Sequence, residues 1–310
     1  MSYVNATTPQ YPNMLTPTAP VPSATELNYN GIVPNTMETA EARMQKFAEI
    51  AARYEISHEF ASRLRQLEGY EIVFLCDDSG SMATAVDHCT DCYFVCIGDT
   101  DNAFAVRSTR WDELKQIVSI TVDIGSVLDP DGLDIYFLNR PPLLRIKHSS
   151  ELIPAFANPP NGLTPITRVL RQILQAKQSE IQERKLLIII ATDGQPTDDR
   201  GKIDVEALER VLKYERKPAD RIFVTFCACT DDDQAVGYLN RWDETIPYLD
   251  VCDDYRSERK EIWRAQGRQF PFSFGDYVVK ILLGSIDRYF DKLDQKPVGS
   301  HHKNACCSLM

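Results

Sequence analysis

Phe47, Ile50, Ala51 and Tyr54 fall at i, i+3, i+4 and i+7, the spacing of one helical face, and predict a helix that begins near Glu38. Ser57 stands at a capping position before a second helix with Phe60, Leu64 and Leu67 on its inner side. After Gly69 the pattern changes. Residues 72–76 form an unbroken apolar run that stops at Asp77-Asp78-Ser79-Gly80-Ser81, as a strand buried on both faces does. The same alternation returns downstream. Helices are predicted over 111–127, 166–181, 205–214 and 277–293, the last a long closing helix, and strands over 133–138, 186–191 and 222–229. Strands alternating with helices imply βαβ crossovers, so the expected fold class is α/β: a doubly wound, mainly parallel sheet flanked by helices, with a helical N-terminal extension. Ligands of such sheets bind beyond the carboxyl ends of the strands, where the strand order reverses.

Composition narrows the partners. The 310 residues are 43% hydrophobic and 25% charged, enough to bury a full core. With 34 Lys and Arg against 45 Asp and Glu, the net charge is −11, and so acidic a body repels phosphate backbones; no nucleic-acid partner is expected. Nine cysteines lack framework spacing, no secretory segment opens the chain, and no apolar run spans a bilayer, which points to a cytoplasmic protein. Residues 1–36 carry six prolines between Pro9 and Pro34 and no charge before Glu26, the composition of a disordered leader. Residues 37–67 form the helical extension, 68–293 the α/β domain and 294–310 a flexible tail.

Three polar clusters sit where ligands are expected. Asp77, Ser79 and Ser81 form Asp-x-Ser-x-Ser directly after the first buried strand, Gly162-Leu163-Thr164-Pro165 opens a helix, and Thr192-Asp193-Gly194 follows the most apolar strand. Two carboxylates and three hydroxyls, from Asp77, Asp193, Ser79, Ser81 and Thr164, are hard oxygen donors that suit Mg²⁺, Ca²⁺ or Mn²⁺ rather than zinc or copper. Two carboxylates neutralise a divalent ion formally, yet five protein oxygens leave an octahedron open. The open position suits a carboxylate supplied by a partner protein. Asp77 and Asp193 are expected at solvent-facing strand ends.

In order and spacing, these three elements resemble the von Willebrand factor A (VWA) domain with its metal-ion-dependent adhesion site, across roughly residues 68–293. The stretches 74–82 and 131–139 look closest to intracellular, stand-alone members. The resemblance implies a Rossmann-like sheet in which Asp77, Ser79 and Ser81 hold the metal, Thr164 joins when ligand binds, and Asp193 anchors the ion directly or through water. A non-catalytic, metal-dependent protein-binding module follows from it. The alternatives are a soluble complex-assembly scaffold and a metal-dependent hydrolase. Against catalysis, the chain has no Walker-type lysine loop, no Gly-x-Ser-x-Gly elbow and no Gly-x-Gly-x-x-Gly after the first strand. An aspartyl-phosphate reading of Asp77 lacks a cation in the 162–165 and 192–195 loops.

Two features lie outside that pattern. Nearly thirty residues, 83–110, intervene before the next helix and include His88, Cys89, Cys92 and Cys96; Tyr93, Phe94, Val95 and Ile97 among them read as a packing segment beside the site. The chain ends in Cys307-Ser308-Leu309-Met310, a Cys-a-a-X box whose Met favours farnesylation of Cys307. One lipid holds a membrane only marginally, and only Lys296 and Lys303 lie near, so Cys306 is the expected second, palmitoylated anchor.

Overall fold

The computed structural model describes residues 40–86 and 108–294. Helix α1 (Ala40–Arg53) and α2 (His58–Arg63) precede β1 (Tyr70–Cys76), which is followed by α3 (Arg110–Leu128), β2 (Leu133–Phe137) and β3 (Leu143–Ile146). Then come α4 (Ile153–Phe156), α5 (Ile166–Ala176), α6 (Glu180–Glu183), β4 (Lys185–Thr192), α7 (Val205–Arg210) and β5 (Ile222–Ala228). The chain continues through α8 (Asp233–Val236), α9 (Asn240–Thr245), β6 (Leu249–Cys252), α10 (Tyr255–Gln266), α11 (Phe274–Leu283) and α12 (Arg288–Asp291).

The strands form one six-stranded sheet in the order β3-β2-β1-β4-β5-β6. Only the β2–β3 pair is antiparallel. This is the α/β, Rossmann-like architecture expected from the alternating pattern. The three central strands are apolar on both faces because helices cover both. Ile72, Phe74 and Cys76 of β1 join Leu187, Ile189 and Ala191 of β4 in a core shared with α3 and α11. Val73 and Leu75, with Leu186, Ile188 and Ile190, face the opposite core with α5 and α7. The N-terminal extension belongs to the first core, through Ile50, Ile56, Phe60, Leu64 and Leu67. The Ser57 hydroxyl accepts from the Phe60 N–H, as its capping position predicts, and the helix tightens into a 3₁₀ turn over Leu64–Leu67.

Three helices differ from expectation. The helix over 166–181 stops at Ala176, because Lys177 turns its ammonium into the body, 2.6 Å from both Glu71 and Asp134, and a separate turn covers Glu180–Glu183. The helix over 205–214 loosens into a π-turn over Val211–Glu215. The closing helix over 277–293 is interrupted after Leu283. There Asp287 adopts an extended backbone, accepts from the Tyr289 N–H and starts α12, while its carboxylate holds Arg63 at 2.9 Å.

β1 pairs with β2 on one side and β4 on the other. The order reverses there, which puts the switch point, where sheets of this kind take their ligands, beyond Cys76 and Thr192.

Candidate metal centre

The carboxyl ends of β1 and β4 are adjacent, with Cys76 opposite Ala191 and the Asp77 N–H donating to the Ala191 carbonyl at 3.0 Å. That register brings two clusters more than a hundred residues apart to one point. Asp77 Oδ1 accepts from the Ser79 N–H at 2.9 Å, an Asx turn that directs the chain back across the strand end. Asp77 Oδ2 accepts from the Thr192 hydroxyl at 2.6 Å. The hydroxyls of Ser79 and Ser81 lie 3.1 Å apart, and the Ser81 hydroxyl donates to Asp193 Oδ1 at 2.7 Å.

The threonine loop joins from the side. Gly80 N–H donates to the Gly162 carbonyl at 3.3 Å and Asn161 N–H to the Asp78 carbonyl at 2.7 Å, tying residues 161–162 to the turn after β1. Gly162 has φ +122°, and a side chain there would collide with Asn139, so this approach depends on glycine. Thr164 is held through its backbone by Thr197, whose hydroxyl accepts from the Thr164 N–H at 3.2 Å and whose own N–H donates to the Thr164 carbonyl at 2.9 Å. Those bonds leave the Thr164 side chain uncommitted.

The donor set fits a small, hard cation. An octahedral ion with ligands at about 2.1 Å has neighbouring ligand oxygens about 3 Å apart. The Ser79–Ser81 and Ser81–Asp193 separations, 3.1 and 2.7 Å, match that edge. Among the described residues, no group of three or more His, Cys, Asp and Glu is placed to hold a metal. The cluster has two carboxylates and relies on hydroxyls for the rest.

Asp77 and Asp193 are not solvent-facing, contrary to the expectation from their place at strand ends: they are 1% and 2% exposed. Burial pushes the Asp77 carboxyl up to about 6, against the Ser79 and Thr192 hydrogen bonds that lower it, and the Asp193 charge adds to the rise. Tyr238, whose hydroxyl donates to the Gly194 carbonyl at 3.2 Å, has its phenol pushed up by burial and by the Asp77 charge.

Sequence reasoning missed the cations. Neither the 162–165 nor the 192–195 loop carries one, but the fold brings in two arginines from elsewhere. Arg110 Nη1 lies 2.8 Å from Asp193 Oδ2 and its Nη2 donates to the Thr230 hydroxyl at 2.8 Å. Arg140 Nε lies 3.0 Å from Asp78 Oδ2, while the Asn139 N–H donates to Asp78 Oδ1 at 2.8 Å. Asp78 is thus a structural anchor between β1 and the segment after β2. Arg140 lies two residues beyond a predicted strand end, and that position was the available signal; nothing in the spacing marks Arg110.

His88, Cys89, Cys92, Cys96, Cys306 and Cys307 lie outside the described residues. Cys76, Cys227, Cys229 and Cys252 are buried free thiols. No helix among the described residues is long and apolar enough to cross a membrane. Compared with known protein-family models the chain matches none, and a search of curated proteins returns no match.

Proposed function

We propose that the chain is a divalent-metal-dependent, non-catalytic protein-binding module of the VWA type. The observation that carries this reading is the convergence of the Ser79, Ser81 and Asp193 oxygens at the switch point of the sheet, with edges of 2.7 and 3.1 Å. Asp77, Ser79, Ser81 and Asp193 are the residues that would hold Mg²⁺, or Ca²⁺ or Mn²⁺ in its place. The ion, when bound, supplies a positive centre that a partner's carboxylate can complete. Thr164 is the residue that responds to the partner, because its backbone is fixed by Thr197 while its hydroxyl is left to turn toward the switch point. The partner is a protein that presents an Asp or Glu. The lipidated terminus at Cys307, with Cys306 beside it, would hold the module at a cytoplasmic membrane face.

The test is capture of partners by the full-length protein in Mg²⁺ and in EDTA, beside Thr164→Ala and Asp77→Asn. Capture that requires Mg²⁺ and is lost in both variants, with Thr164→Ala still binding metal, supports the reading. Capture that survives EDTA and Asp77→Asn refutes it.

A further inference from the structure

Arg110 is the first residue of α3 and stands at the base of a short antiparallel pairing. Ala85 bridges Thr109, the Val86 N–H donates to the Ser108 carbonyl at 2.9 Å, and the Arg110 N–H donates to the Thr84 carbonyl at 3.0 Å. Thr84 lies three residues beyond Ser81, so the pairing fixes the Arg110 backbone close to the serine turn. From there its guanidinium reaches Asp193 Oδ2 and the Thr230 hydroxyl together. Thr230 follows β5 and is itself tied down, accepting from the Asp232 N–H at 3.3 Å. Two planar donors on two fixed acceptors define the orientation of the group.

The two carboxylates of the centre are consequently unequal. The Asp193 side chain is fully buried, and both its oxygens are satisfied without any metal, Oδ1 by the Ser81 hydroxyl and Oδ2 by Arg110. Asp77, equally buried, takes only neutral donors, the Ser79 N–H and the Thr192 hydroxyl. With Arg110 in place the pair of carboxylates and the guanidinium sum to one negative charge, and without it to two. Arginine cannot escape by losing its proton. A divalent ion entering this centre meets a fixed positive charge already paired with one of its ligands.

We infer that Arg110 is a resident competitor for the metal: it holds Asp193 in the metal-free protein and sets how tightly a divalent cation binds. This rests on the proposed metal site and adds a residue the adhesion motif does not contain. Removing the charge strengthens metal binding and weakens the metal-free fold at once. A guanidinium with a purely structural role would do only the second.

The experiment is calorimetric titration of Mg²⁺ into the full-length protein and its Arg110→Gln and Arg110→Lys variants, with thermal melts in EDTA. Gln retains an amide that can reach Asp193 or Thr230, and Lys retains the charge. Arg110→Gln should bind Mg²⁺ at least tenfold more tightly than the parent while melting lower in EDTA, and Arg110→Lys should stay near the parent affinity. Equal or weaker Mg²⁺ binding by Arg110→Gln, with the parent binding normally, overturns the role of Arg110 and leaves the metal site standing. If neither parent nor variant binds Mg²⁺, the metal site itself is refuted and this role with it. An Arg110→Gln chain that fails to fold is replaced by Thr230→Val, which removes the second acceptor and frees the guanidinium; it should shift Mg²⁺ affinity severalfold, and an unchanged affinity counts against the competitor role.

Discussion

The Thr192 hydroxyl donates to Asp77 Oδ2 at 2.6 Å, joining the last residue of β4 to the first residue beyond β1 with both groups buried. It orients the carboxylate of a proposed metal ligand from the neighbouring strand. Thr192→Val keeps the shape and removes the donor, leaving a buried carboxylate oxygen short of a partner. The expected cost is about 1–3 kcal/mol of stability, with Mg²⁺ affinity severalfold lower; Thr192→Ser should recover most of both. Chemical denaturation and calorimetry of the two variants check this.

At the opposite end of the strands, Lys177 is buried between Glu71 and Asp134, 2.6 Å from each, and Arg184 pairs with Glu71 and with Asp129. The two carboxylates keep the Lys177 ammonium above its usual range despite burial. Lys177→Met should cost about 3–5 kcal/mol, because it leaves the buried Asp134 carboxylate without its cation and Glu71 with Arg184 alone, rather than because the ion pair is strong. The cost should fall in Lys177→Met combined with Asp134→Asn, which neutralises the carboxylate left without a cation. Equilibrium unfolding in urea gives both numbers.

Glu113 on α3 sits near Asp254 in a niche lined also by Arg110, Leu114, Ile117 and Tyr277. Burial first, then the Asp254 charge, pushes its carboxyl from 4.5 up to about 6, against the pull of Arg256. The folded state therefore holds this proton more tightly than the unfolded chain, so its ionisation costs stability. The penalty is absent below about pH 4.5, grows through pH 6 and is complete above it. Glu113→Gln should gain about 1–2 kcal/mol near pH 7.5 and nothing at pH 4.5. Thermal melts across that range test the sign. A variant that is less stable at pH 7.5 than the parent would contradict it.

The location prediction follows from lipid arithmetic. A single acyl or prenyl chain gives reversible binding of about 10⁴ M⁻¹, and two give a stable anchor; a net charge of −11 offers no help at an anionic surface. Cys307→Ser should leave the full-length protein entirely in the soluble fraction, and Cys306→Ser should give a partial, exchanging membrane pool. A Cys307→Ser variant that fractionates like the parent removes the membrane arm and favours a soluble scaffold.

Much of the fold was legible because the central strands are nearly pure Val, Ile, Leu and Phe and stop abruptly at polar turns. The edges were not. β3 reads Leu143-Leu144-Arg145-Ile146 and is largely exposed, and β6 reads Leu249-Asp250-Val251-Cys252, so neither displays the apolar run of a central strand. α10 buries only Tyr255, Glu258 and Ile262, and a glutamate in the buried stripe hides the helical period. The breaks after Ala176 and Leu283 depend on partners distant in sequence, Glu71 and Asp134 for Lys177 and Arg63 for Asp287. At the candidate site, the structure brings Asp77, Ser79, Ser81 and Asp193 together and ties the loop before Thr164 against them. Arg110 was invisible, since its link to Asp193 spans 83 positions with no periodic signal.

The central claim is that these oxygens bind one divalent ion. Titration of Mn²⁺ into the metal-stripped full-length protein, read by the loss of the free-ion paramagnetic resonance signal, tests it most directly, with Asp77→Asn and Asp193→Asn alongside. The account predicts a single saturable site, displaceable by Mg²⁺, in the parent and its loss or at least tenfold weakening in each variant, with all three proteins folded by circular dichroism. Folded parent protein that takes up no Mn²⁺, or variants that bind it as the parent does, would contradict it.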